Sequence, residues 1–186
     1  MKTIGDRISF EKHADYYTII ISSKIEQWKV SAMLVWLIAW TFCGLTFSYY
    51  LAAGSLSSQE NTILLVLLIF WGYLEFKIVK TYLWRRFGVE YIRIDADRIT
   101  HKKAIKGYGK ANYIYLNNIV DVSAVGLNEK SFAKVFNDSF WLIGAGVIQV
   151  KSNLKSMYVG VQLENSEAEK LVKQLQKIIK SFSVIP

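Results

Sequence analysis

The sequence predicts an α+β membrane protein: a two-helix transmembrane hairpin joined to an antiparallel β sandwich or barrel that a C-terminal amphipathic helix closes. Three observations predict it. Two long apolar runs lie close together, short β-rich runs separated by turn residues follow them, and one amphipathic stripe ends the chain.

The apolar runs are Val30–Ala52 and Thr62–Trp84, 23 residues each. At about 1.5 Å per residue each reaches about 34 Å, enough to cross a hydrocarbon core of about 30 Å. Between Val30 and Leu74 the only charged residue is Glu60, and soluble helices rarely stay uncharged for so long. A secretory signal is a poor reading of the first run, which starts near residue 30 and is followed at once by a second span. Gly54, Ser55, Ser57 and Ser58 suit the turn between the spans. Lys2, Arg7, Lys12, Lys24 and Lys29 precede the hairpin, Lys77, Lys80, Arg85 and Arg86 end it, and its linker has no basic residue. This asymmetry predicts a multi-pass protein of the inner (cytoplasmic) membrane with both termini cytoplasmic and Ser55–Ser58 outside. The expected organisation is a cytoplasmic segment over 1–29, the hairpin over 30–84, and a cytoplasmic domain over 85–186.

In the first segment, Tyr16–Ile21 is rich in β-formers and predicts a strand. A lone strand cannot satisfy its edges, so this one is expected to join the sheet formed after the hairpin. There the runs Glu90–Ile94, Arg98–Ile105, Tyr108–Leu116, Ile119–Val125, Phe140–Val150 and Ser156–Leu163 predict strands, with a polar loop over Asn128–Asp138. Ser166 and Glu169 fit a capping box. Ala168, Leu171, Val172, Leu175, Ile178, Ile179 and Phe182 then recur at helical spacing, an apolar stripe expected to bury against the sheet.

The overall charge is +8, and the apolar fraction of 52% is concentrated in the hairpin. A disordered chain is excluded. With Cys43 as the only cysteine, a disulfide scaffold and a cysteine metal cluster are excluded too. His13 and His101 have no ligand-spaced neighbours, and the Gly107-Tyr108-Gly109-Lys110 run lacks the spacing of a phosphate loop. No catalytic residue, metal ligand or cofactor is therefore assigned.

Three features remain. Arg98, Lys102, Lys103, Lys106 and Lys110 form a basic segment without an acid, preceded by Arg85 and Arg86. It reads either as a solvated hairpin or as a site for anionic lipid headgroups, each basic residue contributing about 1 kcal/mol near a charged leaflet. Nucleic acid is not expected, because aromatic residues are not interleaved with the basic ones. Glu75 lies about 20 Å into the second span. Either the helix leaves the membrane early, or this carboxyl is protonated, pairs with Lys29, or contacts another subunit. Gly44, Ser48 and Ala52 recur every four residues and suit close packing, within the hairpin or against a partner's helix.

The order of elements resembles the pleckstrin-homology-like (PH-like) fold. It is more closely similar to bacterial membrane-anchored PH-like domains with two spans near the N-terminus. The resemblance rests on Trp36 and Trp40 in the first span, Phe87–Ile92 leaving the second, the basic hairpin Lys102–Lys110 and the helix Ser166–Phe182. It implies binding of proteins or lipid headgroups rather than catalysis. The reading is a non-catalytic membrane-anchored adaptor, an accessory or assembly subunit of a membrane complex. The expected partners are the bilayer and a membrane protein or a second copy of the chain. An anionic-lipid headgroup sensor is the alternative. A small enzyme or transporter fits less well, since two spans in which Glu75 is the one charged residue that cannot snorkel to the boundary are too few for a conducting path.

Overall fold

A computed structural model describes residues 2–54, 56–125 and 139–183. Ser55 and the loop Asn128–Asp138 lie outside the described residues. The chain divides into two compact units, Met1–Lys24 with Phe87–Pro186, and Ile25–Arg86.

The second unit is two helices, α1 over Gln27–Ala53 and α2 over Ser58–Phe87. Both are long and apolar enough to cross a membrane. On the broad side of α2 away from α1, large apolar side chains such as Ile63, Val66, Ile69, Phe70 and Phe76 stay exposed, which a core helix of a soluble protein would not allow. Gly54, with φ 67°, ends α1 in the left-handed conformation that glycine takes without steric cost. Ser57 and Glu60 then start α2 with a reciprocal capping box. The Glu60 carboxylate accepts from the Ser57 N–H at 2.8 Å, and the Ser57 Oγ accepts from the Glu60 N–H at 3.4 Å.

The first unit is β-rich. Strands β1 (Lys2–Ile4), β2 (Ile8–Lys12), β3 (Tyr16–Ser22), β4 (Gly88–Asp95), β5 (Arg98–Ile105) and β6 (Ala111–Tyr115) form one antiparallel sheet in that order. β3 pairs with β4 from Tyr16↔Asp95 to Ser22↔Val89, so residues on either side of the hairpin share one sheet. The sequence points to one strand before the hairpin, and the structure has three. Ile8 and Phe10 pair with Ile21 and Ile19 and extend the same apolar face. A second sheet holds β7 (Ile119–Ala124), β8 (Gly146–Ser152) and β9 (Ser156–Val161). Of the sandwich or barrel expected, the strands do not close into a barrel: they form two separate antiparallel sheets, with a 3-10 turn at Leu116–Asn118 carrying the chain from one to the other.

The turns follow their residues. The Asp95 carboxylate accepts from the N–H groups of Asp97 and Arg98, an Asx turn between β4 and β5. Between β5 and β6 the two-residue turn is Lys106-Gly107, both at positive φ, as a primed hairpin turn requires.

Helix α3 (Asn165–Ser183) packs its stripe into the core shared by both sheets: Ala168, Leu171, Leu175 and Ile178 are buried with Ile92, Ile148 and Val159. The Gln176 amide donates to the Val122 carbonyl at 2.8 Å and fixes the helix on β7. Its N-terminus corrects the sequence reading by two residues. The Glu164 carbonyl accepts the first helical hydrogen bond, from Ala168, and Glu167 rather than Glu169 reaches back to the Glu164 N–H.

Candidate functional site

A buried polar joint holds the two sheets together. Glu90 on β4 is 1% exposed, and its inward-facing neighbours are Ile92 and Ile94. Its carboxylate accepts from the N–H groups of Gly160 (2.9 Å) and Val161 (2.8 Å) and lies 3.2 Å from His101 Nε2. Gly160 has φ 74°, and that left-handed residue aims two successive N–H groups at one carboxylate. Burial pushes the Glu90 carboxyl up. The hydrogen bond and charge of His101, the charge of Lys103 and the Val161 N–H outweigh it and hold the carboxyl below its ordinary value. Beside this joint, Arg7 donates to the carbonyls of Ser22 (3.0 Å) and Gln162 (2.7 Å), tying the β1–β2 turn to the end of β9.

His101 also forms part of a cleft of about 570 Å³, lined further by Lys103, Lys110, Asn112, Tyr113, Lys155, Ser156, Met157 and Tyr158. It opens where β6, an edge of the large sheet, meets β9, an edge of the small one. Strand alternation places the lining: Ile99, His101 and Lys103 share the inward face of β5, and Asn112 stands opposite His101 on β6. The β8–β9 turn supplies Lys155. The Ser152 hydroxyl donates to the Lys155 carbonyl (2.8 Å) and accepts from its N–H (3.1 Å), and the Lys155 ammonium sits 5.3 Å from the Tyr113 ring centre. The lining thus gathers three ammonium groups with hydroxyl and amide donors.

Of the seven basic residues singled out in the sequence, the five that belong to the β-rich unit are spread over several places. Within the β-rich unit, Lys103 and Lys110 line the cleft. Arg98 lines a separate pocket of about 450 Å³ with Ala96, Asp97, Tyr115 and Asn117. Lys102 points to the outer face of β5, and Lys106 lies over the Phe87 ring at 4.5 Å. At the end of α2, Arg85 is buried and Arg86 donates to the Tyr82 hydroxyl at 2.9 Å. Sequence reasoning missed Lys155, Asn112, Ser156 and Tyr158. Edge-to-edge placement of two sheets has no local signature in the sequence.

In the helical unit, Glu75 accepts a hydrogen bond from the Thr41 hydroxyl at 2.7 Å, while Lys29 pairs with Glu26 at 2.7 Å. The Lys29–Glu75 pairing considered from sequence is thus replaced by a Thr41–Glu75 pair. The second carboxyl oxygen, Oε2, is buried without a hydrogen-bond partner. Glu75 lines an apolar groove of about 400 Å³ with Leu37, Ile38, Thr41, Phe42, Leu45 and Val79. Gly44 is the close-approach point of the two helices. The Trp71 ring lies where a Cβ would stand, and its Nε1 donates to the Trp40 carbonyl at 3.1 Å. Ser48 turns its hydroxyl onto the Gly44 carbonyl at 2.8 Å, and Ala52 is exposed.

Among the described residues no group of three His, Cys, Asp or Glu side chains comes together in a way that would hold a metal ion. No protein-family model, curated protein or solved structure matches the chain.

Proposed function

We propose that this chain is a non-catalytic, membrane-anchored adaptor, an accessory or assembly subunit of a membrane protein complex. Its hairpin sits in the cytoplasmic membrane and its β-rich, PH-like unit is displayed on the cytoplasmic side. The observation that carries this reading is Glu75. In hydrocarbon an unpartnered carboxyl oxygen costs several kcal/mol, roughly what any unsatisfied polar group costs there. The groove around it is otherwise apolar. A transmembrane helix of a partner, laying apolar side chains along Leu37, Phe42 and Leu45 and donating one hydrogen bond to Glu75, satisfies both features. The polar residues beside the cleft also fit a non-catalytic role, since the Glu90 carboxylate is taken up by backbone N–H groups and His101.

The test is purification in mild detergent at native expression. The wild-type chain and Thr41→Val, which removes only the internal hydrogen bond, are expected to retain one discrete partner. Glu75→Leu is expected to lose it while still inserting in the membrane. Equal retention by Glu75→Leu, or no discrete partner with the wild type, counts against the reading.

A second reading, binding of anionic headgroups, draws on Lys103 and Lys110 in the cleft. Such binding weakens steeply with ionic strength, whereas a packed protein interface does not.

A further inference from the structure

We infer that the cleft between β6 and β9 is a binding site for a phosphate ester. Lys103, Lys110 and Lys155 supply the charge, and Asn112, Ser156 and Tyr158 supply neutral donors. The inference is independent of the hairpin's partner.

The lining contains no carboxylate. None of the three lysines enters an ion pair among the described residues. Three ammonium groups around one cleft repel each other, and an anion between them reverses the sign of that energy. The nearby acid, Glu90, feels the charge of Lys103 but not that of Lys110 or Lys155. Glu90 stays outside the lining, its oxygens taken up by Gly160, Val161 and His101.

The neutral groups point the same way. The Gln149 side-chain nitrogen donates to the Ser156 hydroxyl at 2.9 Å and to the Tyr158 hydroxyl at 3.3 Å. Each hydroxyl therefore already accepts a hydrogen bond, and its own proton is left to donate. The cleft thus presents donors to whatever enters, which suits a group made of anionic acceptor oxygens. Lys155 is held in place by Ser152 through its backbone and by Tyr113 through its ammonium, so part of the ordering cost is met before binding. The volume of about 570 Å³ exceeds what a bare phosphate fills and falls within the usual range of small-molecule sites. Met157 and the rings of Tyr113 and Tyr158 offer walls for the ester's organic part. The ester's source is either a free phosphorylated metabolite or a phosphomonoester lipid headgroup.

Calorimetric titration of glycerol 3-phosphate into the full chain, held in phosphatidylcholine nanodiscs, tests the site. Lys110 and Lys155 are exposed, so their replacement leaves the core untouched. We expect saturable binding that weakens about tenfold or more in the Lys110→Gln/Lys155→Gln variant, since each change removes a charge-assisted hydrogen bond. Lys173→Gln/Lys177→Gln, the same charge change on α3, is expected to leave binding unaltered. Doping the nanodiscs with phosphatidic acid separates the sources. A headgroup ligand suppresses the glycerol 3-phosphate heat in the wild type only, and a free ligand leaves it intact. The site is refuted by an absence of saturable binding to either probe, or by equal weakening in the two double variants.

Discussion

Replacing Leu175 with alanine is expected to destabilise the β-rich unit by about 2–5 kcal/mol, the cost of truncating a buried leucine. Leu175 is 0% exposed and sits midway along the α3 stripe, between Leu171 and Ile178. The core cluster to which it belongs draws on both sheets, with Ile92 from the larger and Ile148 and Val159 from the smaller. A cavity there cannot close by moving one element, because the helix is held at Val122 by Gln176 and the sheets are joined at Glu90. Hydrogen exchange of the β8 and β9 amides in the full chain reads the opening free energy directly. Leu154→Ala, at an 87% exposed turn position, is the control and is expected to change it by less than about 0.5 kcal/mol. Unchanged protection in Leu175→Ala would mean that α3 is not the lid of this core.

Glu90→Ala is expected to cost about 3–5 kcal/mol, because it leaves two backbone N–H groups and an imidazole buried without their acceptor. Glu90→Gln keeps the shape and one acceptor oxygen, and so costs less. The sign of the pH dependence follows from the depressed carboxyl. The folded value lies below the ordinary 4.5, so the charged form's contribution is complete above about pH 4.5 and is lost as pH falls through the folded value. The stability gap between wild type and Glu90→Gln is therefore expected to hold near neutrality and to narrow in acid. A gap that does not change with pH contradicts the ionised joint.

Much of this architecture is legible in the sequence, and the reasons are local. Hydrophobic period and length mark α1, α2 and α3, and β-branched runs mark β3, β4 and β5. Lys2–Ile4 and Ile8–Lys12 are too short and mixed to show themselves, and only pairing with β3 makes them strands. The Ser57–Glu60 capping box carries the Ser-x-x-Glu signature before an apolar run, but it sits among Gly54, Ser55 and Ser58, whose composition signals only a turn. Phe140 looks like the start of a strand, but β8 begins only at Gly146, which pairs with Val161 where a Cβ would strike the Val159 N–H. The sites were less legible. Lys103 and Lys155 line one cleft through the placement of two sheet edges, and Glu75 finds Thr41 on the opposite helix. In both cases the residues brought together are far apart in the chain.

Everything proposed for Glu75 depends on the hairpin spanning a membrane with its linker outside, and cysteine accessibility measures that directly. Cys43, the native cysteine, is replaced by serine to remove background labelling. Single cysteines are then placed at Gln59, next to the capping residue Glu60 but not itself part of the capping box, and at Lys170 on the exposed side of α3. On intact cells an impermeant maleimide is expected to label Gln59→Cys and to reach Lys170→Cys only after the membrane is opened. Labelling of Lys170→Cys on intact cells with protection of Gln59→Cys, or protection of Gln59→Cys even in opened cells, would contradict the account.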